Sequence, residues 1–301
     1  MISALVHTYN EEKNIERCLS SLSWVGEIVI IDMGSTDKTL EIARGYQTKI
    51  YNHPYTGFVE PARNFGIEKA KGDWIMIVDA DEEISKSLSL YLSVEAKSPK
   101  FDFYRIARKN IIFGRWIKGS GWWPDYQIRF FKKGNVKWTE KIHGVPFTNG
   151  VGTDIEMGED LSITHYNYQN LEQYVERLNR YTSITAKELY LTNEKFLLKN
   201  LIELPTREFI NRFFVWKGYK DGIHGLALSL LQSFSELVVY LKLWELEKYK
   251  ETHLELSKMG RLMDNEFKQK NYWLTETLLK EPSGIFKKLL LKIKRKIIRY
   301  V

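Results

Sequence analysis

Apolar runs of strand length recur through the first third of the chain, separated by polar stretches with helix signals. Residues 2–7, 25–32, 49–51 and 74–78 read as strands. Their apolar positions are nearly unbroken, as in strands buried on both faces of a parallel sheet. Asn10, followed by Glu11 and Glu12, predicts a helix cap and a helix running toward Ser23. Ser35 or Thr36 is expected to cap the next helix, and residues 62–71 read as a third that Gly72 ends. The β-α-β-α-β-α-β order predicts a parallel sheet with right-handed crossovers.

Residues 101–165 carry shorter β-like runs with turn signals at Gly114, Gly119, Gly121 and Gly134-Asn135. They predict antiparallel strands that extend the sheet. From Leu171 the spacing becomes helical, through Tyr174, Val175, Leu178 and Tyr181. The expected fold class is α/β, a mixed sheet with a parallel core followed by a helical C-terminal region. Expected domains are 1–168, 169–280 and a basic tail, 281–301.

Two strand ends are acidic. The run 74–78 leads into Asp79-Ala80-Asp81-Glu82, and Ile30-Ile31 leads into Asp32-Met33-Gly34-Ser35-Thr36-Asp37. Ligands of open α/β sheets bind outside the carboxyl ends of strands. With the backbone extended, Asp79 and Asp81 point the same way, and paired carboxylates suit a divalent cation that also takes diphosphate oxygens.

Composition narrows the partners. The formal net charge is +7, and residues 281–301 hold seven basic groups against one acid, Glu281. A near-neutral body with a basic tail argues against a nucleic-acid partner, which calls for basic residues spread over a face. Ile285, Phe286, Leu289, Leu290, Ile293 and Ile297 form an apolar stripe among those lysines and arginines. This is the pattern of a helix lying in an anionic membrane surface. Residues 223–241 approach membrane-span length, but Glu236, Gln232 and serines interrupt them, so an interfacial or core helix is expected. One cysteine, Cys18, excludes an intrachain disulfide, and the N-terminus shows no secretory signal. The expected location is cytoplasmic, peripheral on the inner face of the cytoplasmic membrane.

Four segments in order resemble family-2 glycosyltransferases of the GT-A (Rossmann-like) fold. They are His7-Thr8-Tyr9-Asn10-Glu11, Ile31 to Thr39, Ala62-Arg63-Asn64-Phe65-Gly66 and Asp79-Ala80-Asp81-Glu82. The segments Trp123-Pro124-Asp125-Tyr126-Gln127-Ile128-Arg129-Phe130-Phe131 and Trp216-Lys217-Gly218-Tyr219-Lys220-Asp221-Gly222 resemble the subgroup that includes bacterial lipopolysaccharide-core β-glucosyltransferases. The resemblance covers roughly residues 1–245, and Met33 departs from the small polar residue usual there.

The resemblance implies inverting transfer of a sugar from a nucleoside-diphosphate donor, UDP by family habit, with Mn²⁺ or Mg²⁺. Asp81 is expected as the main metal ligand, with Asp79 on the ribose or the metal shell. Asp32 is expected to accept from the nucleobase, with Thr8, Tyr9 and Glu11 lining the pocket and Arg63 near the nucleotide or its phosphates. Asp125 is the first candidate for the base and Glu140 its rival, with Glu159-Asp160 next; His143 is a candidate further ligand. Trp116, Trp122 and Trp123 suit either a sugar platform or a small satellite core. The expected acceptor is a lipid-linked saccharide, with a peptide or soluble glycan as the alternative and a sugar nucleotidyltransferase as the rival enzyme class.

Overall fold

The apolar runs bury side chains on both faces, which is why they assemble as a parallel core. The computed structural model describes residues 1–55, 59–139, 146–282 and 284–300. Its first elements are β1 (Ile2–Thr8), α1 (Ile15–Ser20), β2 (Glu27–Asp32), α2 (Thr39–Arg44), β3 (Thr48–Asn52), α3 (Glu60–Lys69) and β4 (Trp74–Asp79). The four strands are parallel in the order β3-β2-β1-β4. On one face Ala4, Val6, Ile30, Met76 and Val78 pack with Ile15, Cys18 and Leu19 of α1. On the other Leu5, Val29, Ile31, Ile75 and Ile77 pack with Ala62 and Ile67 of α3. This alternation follows the two-residue period of a strand. Helix α3 lies so close that a Cβ on Gly66 would sit 2.5 Å from Leu5 Cδ1.

The chain continues through β5 (Glu82–Ile84), α4 (Lys86–Lys97), β6 (Phe103–Ile112), β7 (Arg115–Trp116), β8 (Asp125–Lys132), β9 (Val136–Lys137), β10 (Phe147–Thr148), β11 (Gly152–Asp154) and β12 (Ile163–Tyr168). Strand β8 pairs antiparallel with β4 and β6, and β12 with β5. The antiparallel extension is therefore present, except that β11 runs parallel to β6. The fold class is the expected mixed sheet with a parallel core and a helical C-terminal region.

The chain divides into two compact units, Met1–Ile112 with Trp123–Asn167, and Phe113–Trp122 with Tyr168–Val301. In the first, Glu27 ties the amino ends of three strands together. Its carboxylate accepts from Ser3 Oγ (2.6 Å), Lys49 Nζ (2.6 Å) and the Lys71 backbone N–H (2.8 Å). Burial raises the Glu27 pKa, but those hydrogen bonds outweigh it and hold the group down at about 2.

The helix caps are not where the sequence suggests. Helix α1 begins at Ile15 rather than after Asn10, and α2 begins at Thr39, past Ser35 and Thr36. Asn10 adopts a left-handed conformation, φ 55°. The polar side chains instead staple two loops. Asn10 N donates to Ser35 Oγ (3.0 Å), Glu11 N to Thr39 Oγ1 (2.7 Å), Thr36 N to Asn10 Oδ1 (2.8 Å) and Lys38 N to Glu12 Oε2 (3.1 Å). The same residue types that cap helices satisfy loop N–H groups here.

In the second unit α5 (Leu171–Leu191) and α6 (Asn200–Ile210) pack on α7 (Ile223–Leu246), and α8 (Leu256–Lys280) packs on α6 and on α9 (Ile285–Tyr300). A π-helical turn, Asn211–Val215, and a 3₁₀ turn, Gly218–Asp221, join α6 to α7. Asp221 accepts from the backbone N–H groups of Lys118 (3.2 Å) and Gly119 (2.6 Å), which holds the 113–122 loop in this unit. The Arg212 guanidinium lies 5.7 Å from the Trp122 ring and 5.6 Å from Trp216. Among the described residues, α7 is the one helix long and apolar enough to cross a membrane, by length and composition. The α9 stripe is exposed: Ile285 and Phe286 are each 85% accessible.

Candidate active site

The carboxyl ends of β1, β2 and β4 meet in the first unit, at the place where open sheets bind ligands. Asp32 is buried at the end of β2, and its carboxylate accepts from the backbone N–H groups of Gly34 (3.0 Å) and Ser35 (3.2 Å). It thereby shapes the turn whose Gly34 has φ 95°. Thr8 ends β1 and is buried, while Tyr9 beyond it is exposed. The Tyr9 ring stacks on Tyr55 at 4.3 Å between centroids, inclined by 13°. Glu11 receives a hydrogen bond from Asn14 Nδ2 (2.8 Å). These loops are cross-braced by the staples described above, so they present a preformed floor.

The Asp79-to-Glu82 segment is not one extended strand. Strand β4 ends at Asp79, the chain turns through Ala80 and Asp81, and β5 starts at Glu82. The two aspartates consequently have different partners. Arg129 Nη2, on β8, donates to Asp79 Oδ2 (2.5 Å) and to Glu82 Oε1 (2.6 Å). Arg63 Nη2, on α3, stands 3.7 Å from Asp79 Oδ1. Glu82 Oε2 accepts the Asp79 backbone N–H at 2.9 Å. Asp81 Oδ2 instead lies 3.5 Å from His165 Nε2, on β12.

Asp125 begins β8 directly opposite Arg108 of β6. Its carboxylate accepts from Arg108 Nη2 (2.5 Å) and Nε (2.8 Å), Gln127 Nε2 (2.8 Å) and Asn110 Nδ2 (3.2 Å). Arg108 also stands 3.6 Å from Glu82. Three guanidiniums, Arg63, Arg108 and Arg129, thus face three carboxylates, Asp79, Glu82 and Asp125.

Proton affinities follow from this arrangement. Burial raises the Asp79 pKa, but Arg129 and Arg63 overcome it and hold the carboxyl well below its ordinary range. Glu82 goes the other way, raised by burial and by the neighbouring Asp79 charge. Asp125 is lowered: burial opposes, but Arg108 and the hydrogen bonds from Gln127 and Asn110 prevail. Burial, then the Arg63 charge, pushes His7 down to about 3, so its buried ring is neutral near pH 7.

Of the residues singled out in the sequence, Thr8, Tyr9, Glu11 and Asp32 sit on the strand-end loops, and Arg63, Asp79, Asp81 and Asp125 join the charged network. Glu140 and His143 lie outside the described residues. Of the Trp cluster, Trp116 and Trp122 belong to the second unit; Trp122 meets the Tyr168 ring edge-on. Lys118 Nζ stands 3.9 Å from the Trp116 ring centre.

Arg129, Arg108, Asn110 and His165 were not anticipated. Arg129, Asn110 and His165 are buried at strand positions and Arg108 partly so, with Arg129 directly before the buried Phe130-Phe131 and His165 between the buried Ile163 and Asn167. A polar side chain on a buried face is the signal that marks them.

Among the described residues no three His, Cys, Asp or Glu side chains converge as a complete metal cage. The donor set that fits a divalent cation is a pair, the Asp81 carboxylate and the His165 imidazole. Asp79, with arginines against both its oxygens, does not fit as a direct ligand.

Acids held in a guanidinium network thus lie at the carboxyl ends of a parallel sheet, where open α/β sheets bind ligands. The family model described as glycosyl transferase family 2 matches residues 3–153, and the chain belongs to that family. It is 27% identical over 257 residues to an uncharacterized glycosyltransferase of Rickettsia typhi, covering 81% of this chain and 87% of that one. It is 22% identical over 253 residues to the lipopolysaccharide core biosynthesis glycosyltransferase LpsC of Rhizobium meliloti, covering 81% and 92%. Among solved structures, S. aureus TarS 1–349 aligns over 84% of this chain and 93% of that one, at 15% identity and a TM-score of 0.43.

Proposed function

We propose that this glycosyltransferase moves a sugar, with inversion, from a UDP-sugar to a lipid-linked saccharide of the cell envelope, at the inner face of the cytoplasmic membrane. The observation that carries the donor side is the divergence of the two strand-end aspartates. Asp79 is neutralised by Arg129 and Arg63, whereas Asp81 stands beside a histidine. Asp81 and His165 hold a divalent cation in this reading. Mixed carboxylate and imidazole ligation favours Mn²⁺ over Mg²⁺. Bound there, the cation supplies neutralisation of charge on the departing diphosphate.

The chain's own residues do the rest. Asp32 and the stapled 10–12 and 35–39 loops take the base and ribose, with Tyr9 beside them. Arg63 offers positive charge toward the phosphates. Asp125 takes the acceptor proton in this reading; Arg108 and the hydrogen bonds from Gln127 and Asn110 lower its pKa, which keeps it ionised at the expense of basicity.

The acceptor assignment rests on two features. LpsC, similar over most of both chains, is named for lipopolysaccharide core biosynthesis. Helix α9 exposes an apolar stripe among basic residues, which suits an anionic bilayer that a lipid-linked acceptor would share.

The first test is release of nucleoside diphosphate from a panel of sugar nucleotides, with Mn²⁺, Mg²⁺ or EDTA, alongside UDP binding. Metal-dependent UDP binding that Asp81→Ala abolishes, with slow turnover of one donor, is the expected result. Folded protein showing neither binding nor turnover would refute the reading.

A further inference from the structure

The chain of side chains from Asp125 to Asp81 fixes the state of the histidine between them. Asn110 is completely buried on β6. Its Nδ2 donates to Asp125 Oδ2 (3.2 Å), and an ionised carboxylate accepts only. The other end of the amide, Oδ1, therefore faces His165 Nδ1 at 2.7 Å. A carbonyl oxygen accepts only, so His165 Nδ1 carries the proton. With Nδ1 as the donor to Asn110, Nε2 is the ring atom left to take a cation. That atom points at Asp81 Oδ2, 3.5 Å away. Nε2 and Asp81 Oδ2 are close enough together for one cation to take both as ligands. The backbone enforces the approach, because His165 pairs with Glu82 across β12 and β5, and Tyr166 N donates to Asp81 O at 2.9 Å.

We propose that Asn110 is a positioning residue that locks the His165 tautomer, so that the Nε2 lone pair and the Asp81 carboxylate face one divalent cation. The same amide ties this pair to Asp125, so the group that takes the acceptor proton and the cation's ligands share one rigid support. The inference rests on the metal reading given under the proposed function. It adds a residue that never touches the cation but decides whether its ligands are presented. Partners that orient a ligating histidine through its second nitrogen typically change metal affinity by about 10–100-fold when removed.

The test uses the full chain labelled with ¹⁵N-histidine, with His165→Ala to assign the resonance among the six histidines. With saturating UDP, long-range ¹H–¹⁵N correlation of the wild-type protein is expected to show His165 protonated at Nδ1 and not at Nε2, and Mg²⁺ to shift the Nε2 signal. In Asn110→Leu the single tautomer is expected to give way to a mixture. The Mn²⁺ dissociation constant, read by electron paramagnetic resonance with UDP present, is expected to rise about 10–100-fold.

An Nε2–H tautomer in the wild-type protein would overturn the inference, and that reading needs no variant to fold. Unchanged Mn²⁺ affinity in folded Asn110→Leu would overturn it too, as a merely structural role lowers the melting temperature and leaves the cation alone. Either result leaves metal-dependent UDP binding by the wild type standing. Wild-type protein that binds UDP equally with Mn²⁺ and with EDTA would overturn both the metal reading and this one.

Discussion

Replacing Arg129 by Met tests the claim that the site is held by charge compensation. Arg129 is 2% exposed and its Nη2 bridges Asp79 and Glu82, the latter fully buried. Methionine keeps most of the volume, so the cavity contribution is small, and the loss measures what the charge does. Breaking a buried pair by removing one partner costs about 3–5 kcal/mol, because the other charge is left buried. Arg63 at 3.7 Å and Arg108 at 3.6 Å remain to compensate Asp79 and Glu82, which keeps the expected loss within that range at pH 7 rather than above it. The variant has one relief, protonation of Glu82, whose pKa is already raised by burial and by Asp79. A group whose folded pKa exceeds its unfolded value contributes stability below the unfolded pKa and loses it as pH rises through the folded one. The penalty should therefore grow from pH 5 to pH 8, and Glu82→Gln added to Arg129→Met should recover most of it at pH 8. Hydrogen exchange of β4 and β8 peptides, followed with urea, reads the free energy of this unit without assuming two-state unfolding of the whole chain. A loss below about 1 kcal/mol, or a loss independent of pH and untouched by Glu82→Gln, would refute the reasoning.

Glu27→Gln should destabilise the first unit by about 1–3 kcal/mol at pH 7. Because the folded Glu27 pKa is lowered to about 2, its contribution is complete above the unfolded value near 4.5 and fades as pH falls toward 2, so wild type and variant should converge in acid urea titrations. Asp125→Asn should lower kcat by about 10²–10⁴-fold with UDP affinity unchanged; in the wild type, the lowered Asp125 pKa should carry activity below the usual carboxylate range before it fails in acid, which a pH–rate profile reads. Gly225→Ala would set a Cβ 1.8 Å from the Gly218 carbonyl oxygen, so a loss of about 3 kcal/mol or more is expected in thermal unfolding followed by circular dichroism. Deleting residues 285–301 should abolish sedimentation with phosphatidylglycerol vesicles while UDP binding persists; retained vesicle binding would move the membrane contact elsewhere, with α7 the next place to look.

The parallel core was readable because its strands are buried on both faces, so each apolar run declares itself without reference to its neighbours. The acidic strand ends were readable for the same reason: carboxylates directly after such runs have no packing role. What could not be read was which acid would be neutralised. The resemblance ranks Asp81 above Asp79 as a ligand, but the charge that faces each is set by residues brought from far along the chain. Arg129 is 50 residues from Asp79, and His165 reaches Asp81 through a pairing of β5 with β12 that no local pattern specifies. The cap residues failed similarly: Asn10, Ser35 and Thr36 have the right chemistry for a helix start, but each found a partner on the opposite loop. Local pattern thus located the acidic strand ends, and register decided which charges face them. A one-residue slip of β8 would turn Arg129 to the opposite face and break the opposition of Arg108 and Asp125, leaving Asp79 and Glu82 with no guanidinium between them. The register of β6, β8 and β12 therefore carries the electrostatics of the site as well as its packing.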